Sequence, residues 1–341
     1  MDTRHPSHRY LSLPDWAFDK AAPPDFTGLD LRKTSLHAFE SHSFTAHIQK
    51  LPINQPLPVG LHDLRKNLAA AYAVEADLTY VAPGIGNAFR LICQHVLGPG
   101  DHVAVCEPVP DWVKRCILAT GAFYVDVGRD WSMNPQHGAL KRLLEDGDIR
   151  LCFVQTVCSQ TGTLGLSESN TPTQPLWVFD HTWQPSPQVA SPGLHLVDVS
   201  LQHSVPGLPL CLVSGEQSLI EGLWRLDPKP WLAAQTVGLA EVVRRFPENF
   251  KERSDAWLNN RNALRNAIQH LPGIRITGDA GPAAMIGHPL KAGFELFKAL
   301  HNHNVYVDTS ASHTFHEHVA LRLPDPDELS LFVDALESVW S

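Results

Sequence analysis

No pair of the six cysteines has Cys-x-x-Cys spacing, so neither a zinc site nor a disulfide framework is indicated. Cys93, Cys106, Cys116, Cys152, Cys158 and Cys211 fall mostly in apolar segments, where a reduced thiol packs as a small hydrophobe. No uninterrupted apolar run approaches the length of a membrane span. The first twenty residues have neither a basic n-region nor an apolar h-region, and a cytoplasmic location is the default expectation. No basic run offsets the net charge of −9, which disfavours nucleic acid or an anionic membrane as partner and leaves a small molecule or a protein. Internal repeats and low-complexity linkers are also lacking.

What is present is enough for two lobes: 341 residues, 43% of them hydrophobic. Leu61, Leu64, Leu68, Ala69 and Tyr72 recur at helical spacing, as do Ala88, Leu91, Ile92 and His95. Short apolar runs at Val103–Val105, Phe123–Val127 and Leu151–Val154 alternate with helical stretches. This βα succession predicts an α/β protein with a mainly parallel, seven-stranded or similar sheet flanked by helices. After residue 230 the texture changes to long helical readings at Trp231–Phe246 and Phe250–His270, then short strands and helices. The expected division is an arm and part of a small domain over 1–50, a large domain over 51–240 and a small α+β domain over 241–341.

The stretch Trp177–Val213 reads as strand, loop, strand, turn, strand. Its apolar runs Leu176–Phe179 and Leu194–Val199 end in polar residues, Asp180 and the Ser200–His203 turn, as buried strands do when a pocket lies at their carboxyl ends. A helix begins at Gly84-Ile85-Gly86-Asn87, straight after a strand, which leaves free backbone N–H groups for an anion. His313, His316 and His318 form a histidine-rich segment, better read as a polar loop than as a metal site.

These features resemble the fold-type-I pyridoxal-phosphate enzymes, in particular the histidinol-phosphate aminotransferase and threonine-phosphate decarboxylase branch of class I/II aminotransferases. The resemblance spans about residues 28–340 and rests on order and spacing. It implies that Asp180 matches the aspartate facing the pyridine nitrogen, that Ser200 with Gly84, Gly86 and Asn87 matches the phosphate site, and that Arg322 matches the arginine gripping a substrate carboxylate. It also implies a homodimer. The Schiff-base lysine falls on His203, and an imidazole cannot form an aldimine because that bond needs a primary amine.

Other signature positions depart from the pattern. Ser159 stands for the asparagine, and Trp183 for the tyrosine, that bond the cofactor's phenolic oxygen. Pro110 stands for the stacking aromatic and Cys211 for the phosphate arginine. No covalently bound cofactor is expected, and free pyridoxal or pyridoxamine phosphate is doubtful. Three readings compete. The first is a repurposed protein binding an amino-acid-like or keto-acid carboxylate through Arg322, Trp183 and Ser159, with His203 and Asp180 as acid and base. The second is a pyridoxamine-phosphate enzyme with His203 as base, and the third is a non-catalytic partner subunit.

Overall fold

The computed structural model of the chain describes residues 28–32, 61–130, 132–165, 175–184, 192–203, 205, 207–245, 248–308 and 317–340. Among them the central sheet has seven strands: β2 (Thr79–Ala82), β3 (His102–Val105), β4 (Phe123–Asp126), β5 (Ile149–Gln155), β6 (Leu176–Asp180), β7 (Leu194–Asp198) and β8 (Cys211–Gly215). Their order is β2-β8-β7-β6-β5-β3-β4. Only β8 runs antiparallel to its neighbours, β2 and β7. The runs Leu176–Phe179 and Leu194–Val199 thus lie side by side in one sheet, Phe179 against His195 and Asp180 against Leu196. Both strands are almost wholly buried because both faces of a parallel sheet are covered.

Helix α1 (Leu61–Ala71) buries Leu64 and Leu68, and α2 (Ile85–Val96) buries Ile85, Ala88, Phe89 and Ile92, one face of each at helical spacing. Gly84 makes the turn into α2 with φ +84°, a left-handed conformation that glycine adopts without steric cost. Helices α3 (Asp111–Ala119) and α4 (His137–Glu145) complete the βα alternation on the β3–β4 side.

Two expected boundaries move. The strand ending in Ser200–His203 stops at Asp198, and Val199–Gln202 form a single helical turn, α5, because the Asp198 carboxylate caps it by accepting from Leu201 N at 3.0 Å. Helix α6 (Gln217–Leu226) follows β8. The helical reading from Trp231 begins only at Ala234 (α7, Ala234–Arg245).

The rest of the chain packs around α8 (Glu248–Ile268), α9 (Gly293–Asn302) and α10 (Leu329–Trp340). An antiparallel sheet of β9 (Arg275–Ile276), β10 (Ala283–Gly287) and β12 (His318–Arg322) lies here, with β1 (Leu29–Asp30) pairing in parallel with β11 (Val305–Tyr306). Their apolar core takes in Leu31, Leu264, Leu321 and Phe332, and also Val157 and Trp183 from the large sheet's loops. Arg261 of α8 is fully buried and donates to five main-chain carbonyls, those of Thr277, Gly278, Ala280, Gly281 and Ala283. The loop it gathers also bonds the β5 side, with Asp279 N and Ala280 N donating to Gly162 O at 2.8 and 3.0 Å.

Candidate active site

Three strands end together at their carboxyl termini, β5 in Gln155, β6 in Asp180 and β7 in Asp198. Sheet order reverses between β5 and β3, and such a reversal opens a crevice above the strand ends. Asp180 is 4% exposed. One of its oxygens accepts from Thr182 N at 3.0 Å and the other from Gln155 Nε2 at 3.3 Å. Burial raises its pKa, and the bonds from Thr182 and Gln155 pull it partly back. The same Gln155 nitrogen donates to Ser159 Oγ at 3.3 Å, so Asp180 and Ser159 are joined through a residue that the sequence reading did not select. Gln155 Oε1 is buried with no hydrogen-bond partner among the described residues.

Asp198 was also not selected. Its carboxylate accepts from three donors on two elements: Ser200 Oγ at 2.5 Å and Leu201 N at 3.0 Å on α5, and Ile85 N at 3.4 Å at the start of α2. Burial raises its pKa, with Ser200, Leu201 and Ile85 opposing and the neighbouring Asp180 adding to the rise. The sequence did carry a signal for it, since an aspartate straight after an apolar strand is a favoured N-cap residue. Cys211 is fully buried beside both aspartates; burial first, then their charges, push its thiol well above the ordinary range, so it stays protonated. Of the glycine turn, Ile85 therefore faces Asp198, while Gly84 N donates to Ala82 O at 2.9 Å and Asn87 accepts from Arg90 Nε at 3.1 Å.

His203 closes α5 and is 2% exposed. Burial, and then the charge of Arg253 on α8, push its pKa down to about 3. Arg253 spans to the same turn by donating to Gln202 O, and Gln202 Oε1 accepts from Tyr72 Oη at 2.7 Å. Trp183 packs edge-on against Trp257 of α8 at 5.6 Å between centroids, within the core around α8. Trp112 likewise packs edge-on against Phe89 and Phe153.

Arg322 is held by partners of its own among the described residues. Its guanidinium is 9% exposed and meets Glu328 in a two-point contact, Nη1 to Oε2 at 2.6 Å and Nη2 to Oε1 at 2.5 Å. Its Nε donates to Asp30 O at 3.2 Å, and Asp325 lies 3.9 Å away. A substrate carboxylate would have to displace Glu328. Of the histidine-rich segment, His313 and His316 lie outside the described residues, and His318 is buried in β12. No group of three metal-ligating side chains occurs among the described residues, and no described helix is long and apolar enough to cross a membrane.

Compared with known proteins, the chain matches no family model and no curated protein. Its likeness lies in three dimensions. An aminotransferase from Staphylococcus aureus superposes with a TM-score of 0.85 at 13% identity, over 98% of this chain and 99% of that one. The histidinol-phosphate aminotransferase of Clostridium acetobutylicum gives 0.78 at 12% identity, over 91% and 98%. The L-threonine-O-3-phosphate decarboxylase of Porphyromonas gingivalis gives 0.72 at 16% identity, over 91% and 98%. The fold is therefore the α/β fold of the class I/II aminotransferases, with the mostly parallel seven-stranded sheet flanked by helices.

Proposed function

We propose that this chain is a degenerate aminotransferase that has given up the internal aldimine and serves as a non-catalytic subunit, paired with a second copy of itself or with an active homologue. The observation that carries this reading is His203, an imidazole buried to 2% exposure where the resemblance calls for a reactive primary amine. Two further features support it. The guanidinium of Arg322 is already matched by Glu328, and Trp183 and Trp257 pack together between the β6 end and α8. An acid–base role for His203 fits less well, because a proton-transfer group works best with a pKa near the operating pH. Pyridoxal phosphate, if admitted, would find Asp180 for its ring nitrogen but no amine for its aldehyde at residue 203.

The test is chemical. Purified protein is expected to be colourless and, after mixing with pyridoxal phosphate and borohydride, to carry no stoichiometric label on any one lysine. A specific adduct, for example on the exposed Lys229, would overturn the reading, as would turnover of an amino acid with pyridoxal or pyridoxamine phosphate. The His203→Lys variant is expected to form no aldimine either, given Ser159, Trp183, Pro110 and Cys211.

A second reading is favoured by the orphan oxygen of Gln155: a small amino acid or related ligand could place its ammonium between Gln155 Oε1 and Asp180. Saturable stabilisation by an amino acid, lost in Gln155→Leu, would select it.

The partner subunit has a test of its own. Trp231 is 93% exposed, a large apolar side chain suited to contact with a second copy. Sedimentation at micromolar concentration is expected to give a dimer that Trp231→Glu dissociates. A monomeric wild type would refute the homodimer.

A further inference from the structure

Three hydrogen-bond donors from two elements converge at the start of α2. The Ile85 N–H is one of the first-turn groups that have no partner within their own helix, and Leu201 N and Ser200 Oγ approach from α5. Such a convergence at a helix N-terminus is an anion cradle, since the donors and the helix dipole favour negative charge together. Here all three donate to one side chain of the same polypeptide. We propose that the cradle is filled from within: the Asp198 carboxylate is its resident anion, and the site thereby rejects a phosphate monoester from solution.

The surroundings agree with this assignment. Asp198 is 5% exposed and Ser200 2%, so the contacts are internal and do not lie on an open surface. The titratable groups coupled to Asp198 in the described residues are Asp180, Tyr72 and Cys211, and none is a cation. A phosphate would bring up to two negative charges to a place that already holds two buried carboxyl groups, and among the described residues no arginine or lysine bonds or pairs with Asp198 to balance them. The carboxylate does not merely block the cradle, because it satisfies the donors that phosphate would need and starts α5 by capping Leu201. The inference extends the reading above by covering the phosphate as well as the imine. It disfavours a non-covalent pyridoxamine-phosphate enzyme independently of residue 203, and can fail while the absence of an aldimine stands.

The wild-type protein supplies the first test. Its affinities for pyridoxal and pyridoxal phosphate, measured by equilibrium dialysis, are expected to agree within roughly threefold, because the phosphate gains no cradle. A preference for the phosphorylated form of more than about tenfold would overturn the proposal, as that ratio is the signature of a specific phosphate contact. The second test uses Asp198→Gly, which empties the cradle. At constant ionic strength, acetate or inorganic phosphate is expected to raise its melting temperature saturably, chloride is not, and wild type is expected to respond to none of them. A folded Asp198→Gly protein indifferent to acetate and phosphate would sink the proposal. If that variant does not fold, the wild-type comparison still decides.

Discussion

Replacing Arg261 with methionine is expected to lower the unfolding free energy by about 3–5 kcal/mol, the range for removing one side of a buried charged contact. The side chain is fully buried, and its two terminal nitrogens serve the carbonyls of Thr277, Gly278, Ala280, Gly281 and Ala283. Methionine fills much of the volume but removes the Arg261 donor from all five carbonyls; Gly278 O keeps Arg265 Nη2 at 2.6 Å, and each acceptor left buried and unsatisfied is costly. Lysine should recover little, because a single ammonium cannot span five acceptors as a planar guanidinium does. Urea denaturation of wild type, Arg261→Met and Arg261→Lys checks this, and a loss below about 1 kcal/mol for methionine would contradict it. The loss should fall on both halves of the chain, since the gathered loop is also tied to Gly162 through Asp279 and Ala280.

The second large effect is a pH dependence. His203 has a folded pKa of about 3 against an ordinary 6.5, so the unfolded chain takes up a proton that the folded chain refuses. With the folded value depressed, the contribution to stability is full above pH ~6.5 and is lost progressively as pH falls toward ~3. At pH ~5 the loss amounts to about 2 kcal/mol, at about 1.4 kcal/mol per unit of pKa separation below the unfolded value. His203→Gln keeps a polar side chain of similar size that does not titrate. Its stability should fall less steeply than wild type between pH ~6.5 and ~5, by about that amount. Parallel slopes in the two proteins would show that the buried imidazole titrates normally.

Much of the architecture was legible because parallel strands and amphipathic helices announce themselves locally. Phe179 and Leu196 stand in continuous apolar runs, and Ile85, Ala88 and Ile92 recur at helical spacing whatever lies around them. Asp180 could be found in the same way, as the polar end of an apolar run, whereas His203 stood out only through the resemblance, where the Schiff-base lysine falls on it. What was not legible depends on partners distant in sequence or hidden by spacing. Asp198 meets Ile85 across 113 positions, and Gln155 meets Asp180 across 25. The single helical turn of α5 carries no periodicity over its four residues, and only its cap reveals it. For Arg322 the acidic residues nearest in sequence are Asp325 and Asp327. The two-point partner is Glu328, on the residue before α10, which becomes opposite only once the chain after β12 has turned back.

The filled cradle also changes how this fold answers to its surroundings. A protein that borrows an anion from solution is stabilised by mass action, and its resistance to unfolding rises and falls with the supply of that anion. Asp198 is joined to its donors by the backbone and has no pool to equilibrate with. Starvation for an anionic ligand cannot empty it, and abundance cannot tighten it. For this part of the chain, stability is set once by the gene and not continually by metabolism.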